Sequence, residues 1–340
     1  MSAMDWPFTL ERRALADSIQ QMCSDADALT LMRDAGIPWI GIDEAFGGSG
    51  GNLADAATAI RSIALQAHNA PIAETTVAGS ALAQCGMQVP SAILAPAFAA
   101  ESTLVINNPL GNPTLTGTIQ EVPGADCAEF VVVPVDTWLC LVDTADVTLA
   151  MHDNLAHEHR SSVIFTETPV RALAKLPNNL AHLDLYAQLA FARAVQLSGA
   201  LIAIRELSIE FAQTREQFGQ PISRLQVISH YLAELAELAL VGEGAIATAL
   251  EVPTTLNFAI AKSVTSRAAR ESSRIAHQIH GAMGMSQEYA LGQFTTRMWS
   301  WIEDAGRPEF WNATIGRTFL NQPHPDLWLS ITDGIEGERT

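Results

Sequence analysis

The most constraining feature of this chain is a change of texture in its middle. Between about residues 102 and 166, short β-branched runs separated by turn residues follow one another: Thr103-Leu-Val-Ile, Phe130-Val-Val-Val, Trp138-Leu-Cys-Leu-Val, Val147-Thr-Leu-Ala and Val163-Ile-Phe. Each has the length and composition of a strand. On both sides the sequence is rich in Ala, Leu, Glu and Gln at helical spacing, with no repeat period and no low-complexity segment. Helices, then strands, then helices predict an α+β fold, mostly α: a helical domain over 1–98, a small, shortened β domain over 99–176, a helical bundle over 177–330 and a tail over 331–340.

The second helical region shows its packing faces. Ala200, Ile204, Leu207 and Phe211 keep a 4-3-4 spacing, and Ile228, Leu232, Leu235 and Leu238 keep 4-3-3, so each set puts an apolar stripe on one side of a helix. A third helix is predicted from about 257 to 280, and together these are the parts of an antiparallel four-helix bundle. Earlier, Asn52 is a good N-cap for a helix running through Leu65. The glycine run before it, Phe46-Gly-Gly-Ser-Gly-Gly51, lacks the Gly-Lys-Ser/Thr ending of a phosphate loop and follows no strand, so a flexible turn is expected.

Charge excludes several function classes. There are 37 Asp plus Glu against 19 Lys plus Arg, a net charge of −18. Such a surplus of carboxylates repels nucleic acid and an anionic membrane surface. With 48% hydrophobic and 16% charged residues the chain should fold around a large core. No run of 18 uncharged apolar residues occurs, and the N-terminus lacks the charged and apolar regions of a secretion signal, so a cytoplasmic location is expected. Cys23, Cys85, Cys127 and Cys140 are scattered, which predicts buried thiols rather than disulfides or zinc ligands. His152 and His157-Glu-His159 have no fixed metal geometry, and no metal site is expected.

Two stretches carry more than periodicity. In Thr214-Arg-Glu-Gln-Phe-Gly-Gln-Pro-Ile-Ser-Arg-Leu-Gln226, an Arg sits at a helix end before a tight turn. In His277-Gln-Ile-His-Gly-Ala-Met-Gly-Met285 a long helix ends at a Gly-x-x-Gly loop. A guanidinium beside a helix break is suited to clamp a phosphate, and the glycines would let backbone approach a ligand. Taken alone, the structural reading of each stretch prevails, a solvated Arg at a helix end and a glycine that only caps a helix.

In this order on this domain plan, the two stretches resemble the acyl-CoA dehydrogenase family, and the resemblance covers nearly the whole chain. Ile42-Asp-Glu-Ala-Phe-Gly-Gly-Ser-Gly-Gly51 and Ala70-Pro-Ile-Ala-Glu-Thr-Thr76 resemble two N-terminal segments of its members. The resemblance implies the family's fold, an FAD cofactor at a subunit interface, an acyl-CoA substrate and an electron-transfer flavoprotein as acceptor. Carried over by position, Arg215 and Gln278 would contact the FAD pyrophosphate. Phe218, Gly219 and Gln226 would line the adenosine half, and Gly281 and Gly284 would let the loop come close.

The chain departs from the family where the chemistry occurs. Desaturation needs a desolvated carboxylate to take the α proton. The family's two locations for it fall here on Ala305 and on Leu189-Ala190. Glu303 and Asp304 lie close to the first, and a one-residue shift in the loop would bring Asp304 into the site. The segments that surround the flavin ring in catalytic members correspond to Ala99–Gly111 and Ile119-Gln-Glu-Val-Pro123, which lack the family's pattern and its Trp. The ADP side of a flavin site is thus recognisable and the ring side is not. This asymmetry resembles the base-lacking subunit of bacterial heteromeric dehydrogenases of steroid breakdown, with an α2β2 assembly expected. The alternatives are a homo-oligomer with Asp304 or Glu303 as base, and a non-catalytic structural or regulatory subunit.

Overall fold

The computed structural model describes residues 9–100, 103–286 and 288–321; the tail expected over 331–340 lies outside them. Four helices come first: α1 (Leu10–Cys23), α2 (Ala28–Asp34), α3 (Leu53–Leu65) and α4 (Ile72–Gln84). Asn52 caps α3 as its sequence predicts. Its side-chain oxygen accepts from Ala54 N at 2.9 Å, while Asp55 accepts from Asn52 N at 2.9 Å. The glycine run before it is pinned rather than flexible, because Gly50 N donates to Ile42 O at 2.9 Å and Ser49 N to Trp39 O at 3.0 Å.

Eight strands then build two four-stranded sheets: β1 (Leu94–Pro96), β2 (Val105–Asn107), β3 (Thr114–Pro123), β4 (Phe130–Val135), β5 (Trp138–Asp143), β6 (Thr148–Asp153), β7 (His159–Pro169) and β8 (Ala172–Lys175). One sheet has the order β1-β4-β5-β8, the other β2-β3-β7-β6. All pairs are antiparallel except β1 with β4. The sheets bury a shared apolar core that includes Leu115, Val131, Val133, Cys140, Val163 and Phe165. Among the cysteines Cys140 is buried, whereas Cys127 is exposed, contrary to expectation. Its position beside Gly124, in the turn after β3, leaves it on the surface.

The chain returns to helices with α5 (His182–Thr214), α6 (Gln226–Glu251), α7 (Thr255–His280) and α8 (Ala290–Glu303), followed by α9 (Pro308–Leu320). Between α5 and α6 a short hairpin forms, β9 (Glu216–Gln217) with β10 (Gln220–Pro221). The helix α5 is long and apolar enough to cross a membrane, yet it is the central rod of the bundle. It packs against α3, α6, α7 and α8, and Leu185, Leu197, Leu201 and Ile204 along it are fully buried.

Candidate functional site

The residues expected on the ADP side of a flavin lie at one end of the bundle. Arg215 caps α5, and with Leu207, Glu210, Phe211, Thr214, Met283 and Tyr289 it lines a groove of about 400 Å³. Arg215 and the Gly281–Met285 turn are therefore brought together. Arg215 is exposed and makes no ion pair among the described residues. Phe218 and Gly219 form the tip of the β9–β10 hairpin, both with positive φ (55° and 77°), as a two-residue I′ turn requires. Phe218 is 90% exposed. The ring therefore stands in solvent on a left-handed backbone position that a bulky side chain rarely adopts. Gln226 begins α6 and Gln278 lies in the last turn of α7, both exposed but neither lining the groove.

The two loop glycines differ in role. Gly281 has φ +57°, and a Cβ there would meet nothing within 4 Å, so the backbone is open to a ligand. Gly284 is buried, and a Cβ there would sit 2.9 Å from His280 Cβ and 3.0 Å from Leu291 Cδ2. The expectation that Gly284 gives approach to a ligand is thus corrected: it lets the turn pack on α7. Beneath the loop, burial lowers the His280 pKa to about 4, leaving it neutral, stacked on Phe211 at 4.4 Å. The positive charge in this groove comes from Arg215 alone among its lining residues.

On the ring side the structure unites segments that are far apart in sequence. Phe98, Ala99 and Ala100 after β1, Gln120, Glu121 and Pro123 of β3, Tyr186, Leu189 and Arg193 of α5, and residues 303–307 after α8 line one cleft of about 570 Å³. Of the positions where the family's base would fall, Ala305 and Leu189 are in it and Ala190 is buried outside it, and none has a carboxylate. Asp304 lines it too, but as an ion-pair partner. Its carboxylate meets Arg160 Nε at 3.1 Å and Arg193 Nε at 3.3 Å. Burial raises its pKa, the two guanidiniums outweigh that, and the net shift is downward. A carboxylate so held is a poor proton acceptor. Glu303 is half-exposed and pairs with Arg307 at 3.2 Å at the rim. The expectation that either could serve as base is corrected on this geometry.

Asp304 belongs to a buried ionic cluster. Arg193 also donates to Glu74 of α4 at 2.6 Å and to Gln196 at 2.6 Å. Arg160 of β7 donates to Glu158 at 3.1 Å, and Glu158 accepts from Trp301 Nε1 at 3.1 Å and pairs with Arg297 at 3.4 Å. Three carboxylates thus face three guanidiniums where the first helices, the β domain and the bundle meet. Nearby, the fully buried Lys262 of α7 donates to the carbonyls of Ile302, at 3.0 Å, and Trp301, capping α8. Burial pushes its pKa down to about 7, against the opposing pull of Asp304. The turn is closed by Trp311 Nε1, which donates to Ala305 O at 2.8 Å. Sequence reasoning missed this cluster, although Glu74 and Arg193 within it, and Lys262 beside it, are each a lone charge in an apolar helical run. Such a charge is almost never buried unpaired.

Elsewhere, His152 pairs with Glu121 at 2.8 Å and His159 with Asp153 at 2.7 Å, and no group of metal-ligating side chains assembles among the described residues. Of the C-terminal aromatics, Trp301 and Trp311 are core residues, and Trp299 stacks on His277 at 5.9 Å, 39% exposed.

Residues 185–303 match the family model for the acyl-CoA dehydrogenase C-terminal domain. The chain is 26% identical over 275 residues to the acyl-CoA dehydrogenase IpdE2 of Mycobacterium tuberculosis, covering 78% of each. The C-terminal helical region of this chain is thus similar to that of the acyl-CoA dehydrogenases. Its fold matches a chain of the ChsE4-ChsE5 complex from Mycobacterium tuberculosis with a TM-score of 0.83 at 20% identity, over 94% of this chain and 100% of that one. It likewise matches a structure described as a steroid ACAD with a TM-score of 0.81 at 18% identity, over 90% and 97%. Members of the family are FAD-dependent oxidoreductases acting on acyl-CoA thioesters, and the structural neighbours share both helical regions and the β domain between them.

Proposed function

We propose that this chain is one subunit of a heteromeric, FAD-dependent acyl-CoA dehydrogenase that introduces an α,β double bond into an acyl-CoA, and that it supplies the ADP-side contacts while its partner supplies the base. One observation carries the reading. Ala305 and Leu189-Ala190, where the family's base would fall, carry no carboxylate, and Asp304 beside the first, its side chain 16% exposed, is fixed by two guanidiniums. The groove at Arg215, by contrast, is open and its cation unpaired among the described residues.

The residues present fit the ADP half of FAD. Arg215 offers a fork of donors to the pyrophosphate, and the open Gly281 turn allows backbone to approach it. In this reading the exposed Phe218 ring and Gln226, at the start of α6, would line the adenosine, and Gln278, in the last turn of α7, would join Arg215 at the pyrophosphate. The residues present offer no free base on the ring half, where Asp304 is held by Arg160 and Arg193 and Glu303 pairs with Arg307. When bound, FAD supplies the acceptor for the β hydride; this chain's part is to bind and orient it from across the interface. The two-component ChsE4-ChsE5 assembly supports a heteromer, and the steroid neighbour supports a bulky, steroid-derived acyl group. The electron acceptor we assign is an electron-transfer flavoprotein.

The test is the flavin-to-protein ratio, from visible absorbance, of the chain alone and after co-expression with a dehydrogenase-like partner. The expected result is colourless protein alone and about one flavin per heterodimer. A full yellow complement in the lone chain would overturn the shared site, and a colourless complex would favour a structural subunit.

A further inference from the structure

A second cavity lies on the far side of α5. Tyr186, Leu189 and Arg193 face the ring-side cleft, whereas Gln188, Phe191, Ala192 and Val195 face this one. At about 100° per residue the two sets lie on roughly opposite sides of the helix, so the cavity is separate from the cleft. Its volume is about 300 Å³. The walls come from α3, α4, α5 and the start of α7, with Ile42, Ile60, Val77, Phe191, Val195 and Phe258 all below 9% exposed. The space opens to solvent on one side, and its buried apolar walls make it a preformed apolar pocket.

The lining fixes what can enter. In a chain with 56 charged side chains (37 + 19), no lining residue is charged. An anion buried here would have no counter-charge, which excludes a carboxylate, a phosphate or the nucleotide part of a coenzyme. Polar groups gather at the mouth. Gln84 and Gln188 exchange carboxamide hydrogen bonds, each at 3.1 Å, and Gln84 donates to Ser80 Oγ at 3.0 Å. Ser80 keeps its own hydroxyl proton, which has no acceptor among the described residues, whereas the Thr76 hydroxyl already donates to Pro38 O at 2.9 Å. An apolar cavity of about 150 Å³ holds one benzene ring. Twice that space holds two fused rings.

We propose that this cavity binds a compact, uncharged hydrocarbon of about two fused rings, with one neutral hydroxyl or carbonyl oxygen facing Ser80 and the Gln84–Gln188 pair. The site does not depend on how flavin is held, and stands whether or not the chain shares a cofactor with a partner.

The experiment is calorimetric titration of the full chain with 2-naphthol, with naphthalene-2-sulfonate as its charged counterpart. Saturable one-to-one binding of naphthol is expected, with the sulfonate at least tenfold weaker. Ala192→Phe fills the cavity from α5 and should cost at least tenfold in naphthol affinity while keeping the thermal midpoint. Ala56→Leu fills it from α3 and makes the same demand if the larger ring is not tolerated. Ser80→Ala should weaken naphthol a few-fold. No saturable binding up to the solubility of naphthol, equal affinity for the sulfonate, or full affinity in a folded cavity-filled variant would overturn the assignment.

Discussion

Replacing Asp304 by Asn tests what the ring-side cleft is for. In the folded protein the carboxylate neutralises two guanidiniums whose side chains are 1% and 4% exposed, Arg193 and Arg160. Removing one partner of a buried ion pair costs about 3–5 kcal/mol, because the remaining charge stays buried without compensation. Here each Arg retains a second carboxylate, Glu74 at 2.6 Å for Arg193 and Glu158 at 3.1 Å for Arg160. The cost therefore belongs near the lower end, about 3 kcal/mol. With a urea slope of about 3 kcal/mol per molar, the unfolding midpoint should fall by about 1 M. The pH dependence has a defined sign. The Asp304 pKa is lowered on folding, so its stabilisation is present above the unfolded pKa and is lost as pH falls through the folded one. The gap between wild type and Asp304→Asn should stay constant from about pH 8 to 5 and close below about 4. An unchanged urea midpoint combined with lost turnover in an active complex would refute this account and make Asp304 a catalytic residue.

Two further outcomes follow from the same geometry. Arg215→Ala removes one charge-assisted contact worth about 1.5–3 kcal/mol, so FAD retention in the complex should weaken roughly ten- to hundredfold, read from flavin released on dilution; unchanged retention would remove Arg215 from the cofactor site. Lys262 drops from an ordinary 10.5 to about 7 on folding, so its burial opposes folding below pH 7 and that cost fades as pH rises toward 10. Relative to Lys262→Met, the wild type should gain up to about 1.4 kcal/mol per pH unit in that window by urea unfolding at pH 6, 7.5 and 9, and parallel profiles would show that Lys262 keeps its proton when folded.

Much of the architecture was legible because it rests on local rules. The 4-3-4 stripe of Ala200, Ile204, Leu207 and Phe211 can be satisfied only by a helix with one covered face, and the β-branched runs from Thr103 to Phe165 only by paired strands. The Asn52 cap and the Phe218-Gly219 turn were likewise set by the residues that make them. Gly284 was not legible, since a glycine after a helix looks the same whether it opens a backbone or admits the Cβ of His280. Nor was the far side of α5, where Gln188 and Ala192 look like ordinary helical residues until α3 and α4 close over them.

The chain's sequence by itself determined the element order, the bundle and the Arg215 to Gln226 turn, since these depend on periodicity, capping and short-range spacing. Only tertiary structure decided the meaning of Asp304. A carboxylate near a proton-abstracting position is a base when desolvated alone and a structural counter-ion when two arginines reach it. Those arginines lie 144 and 111 residues away in sequence (304 − 160 and 304 − 193), so the decision rests on how three regions of the chain pack together.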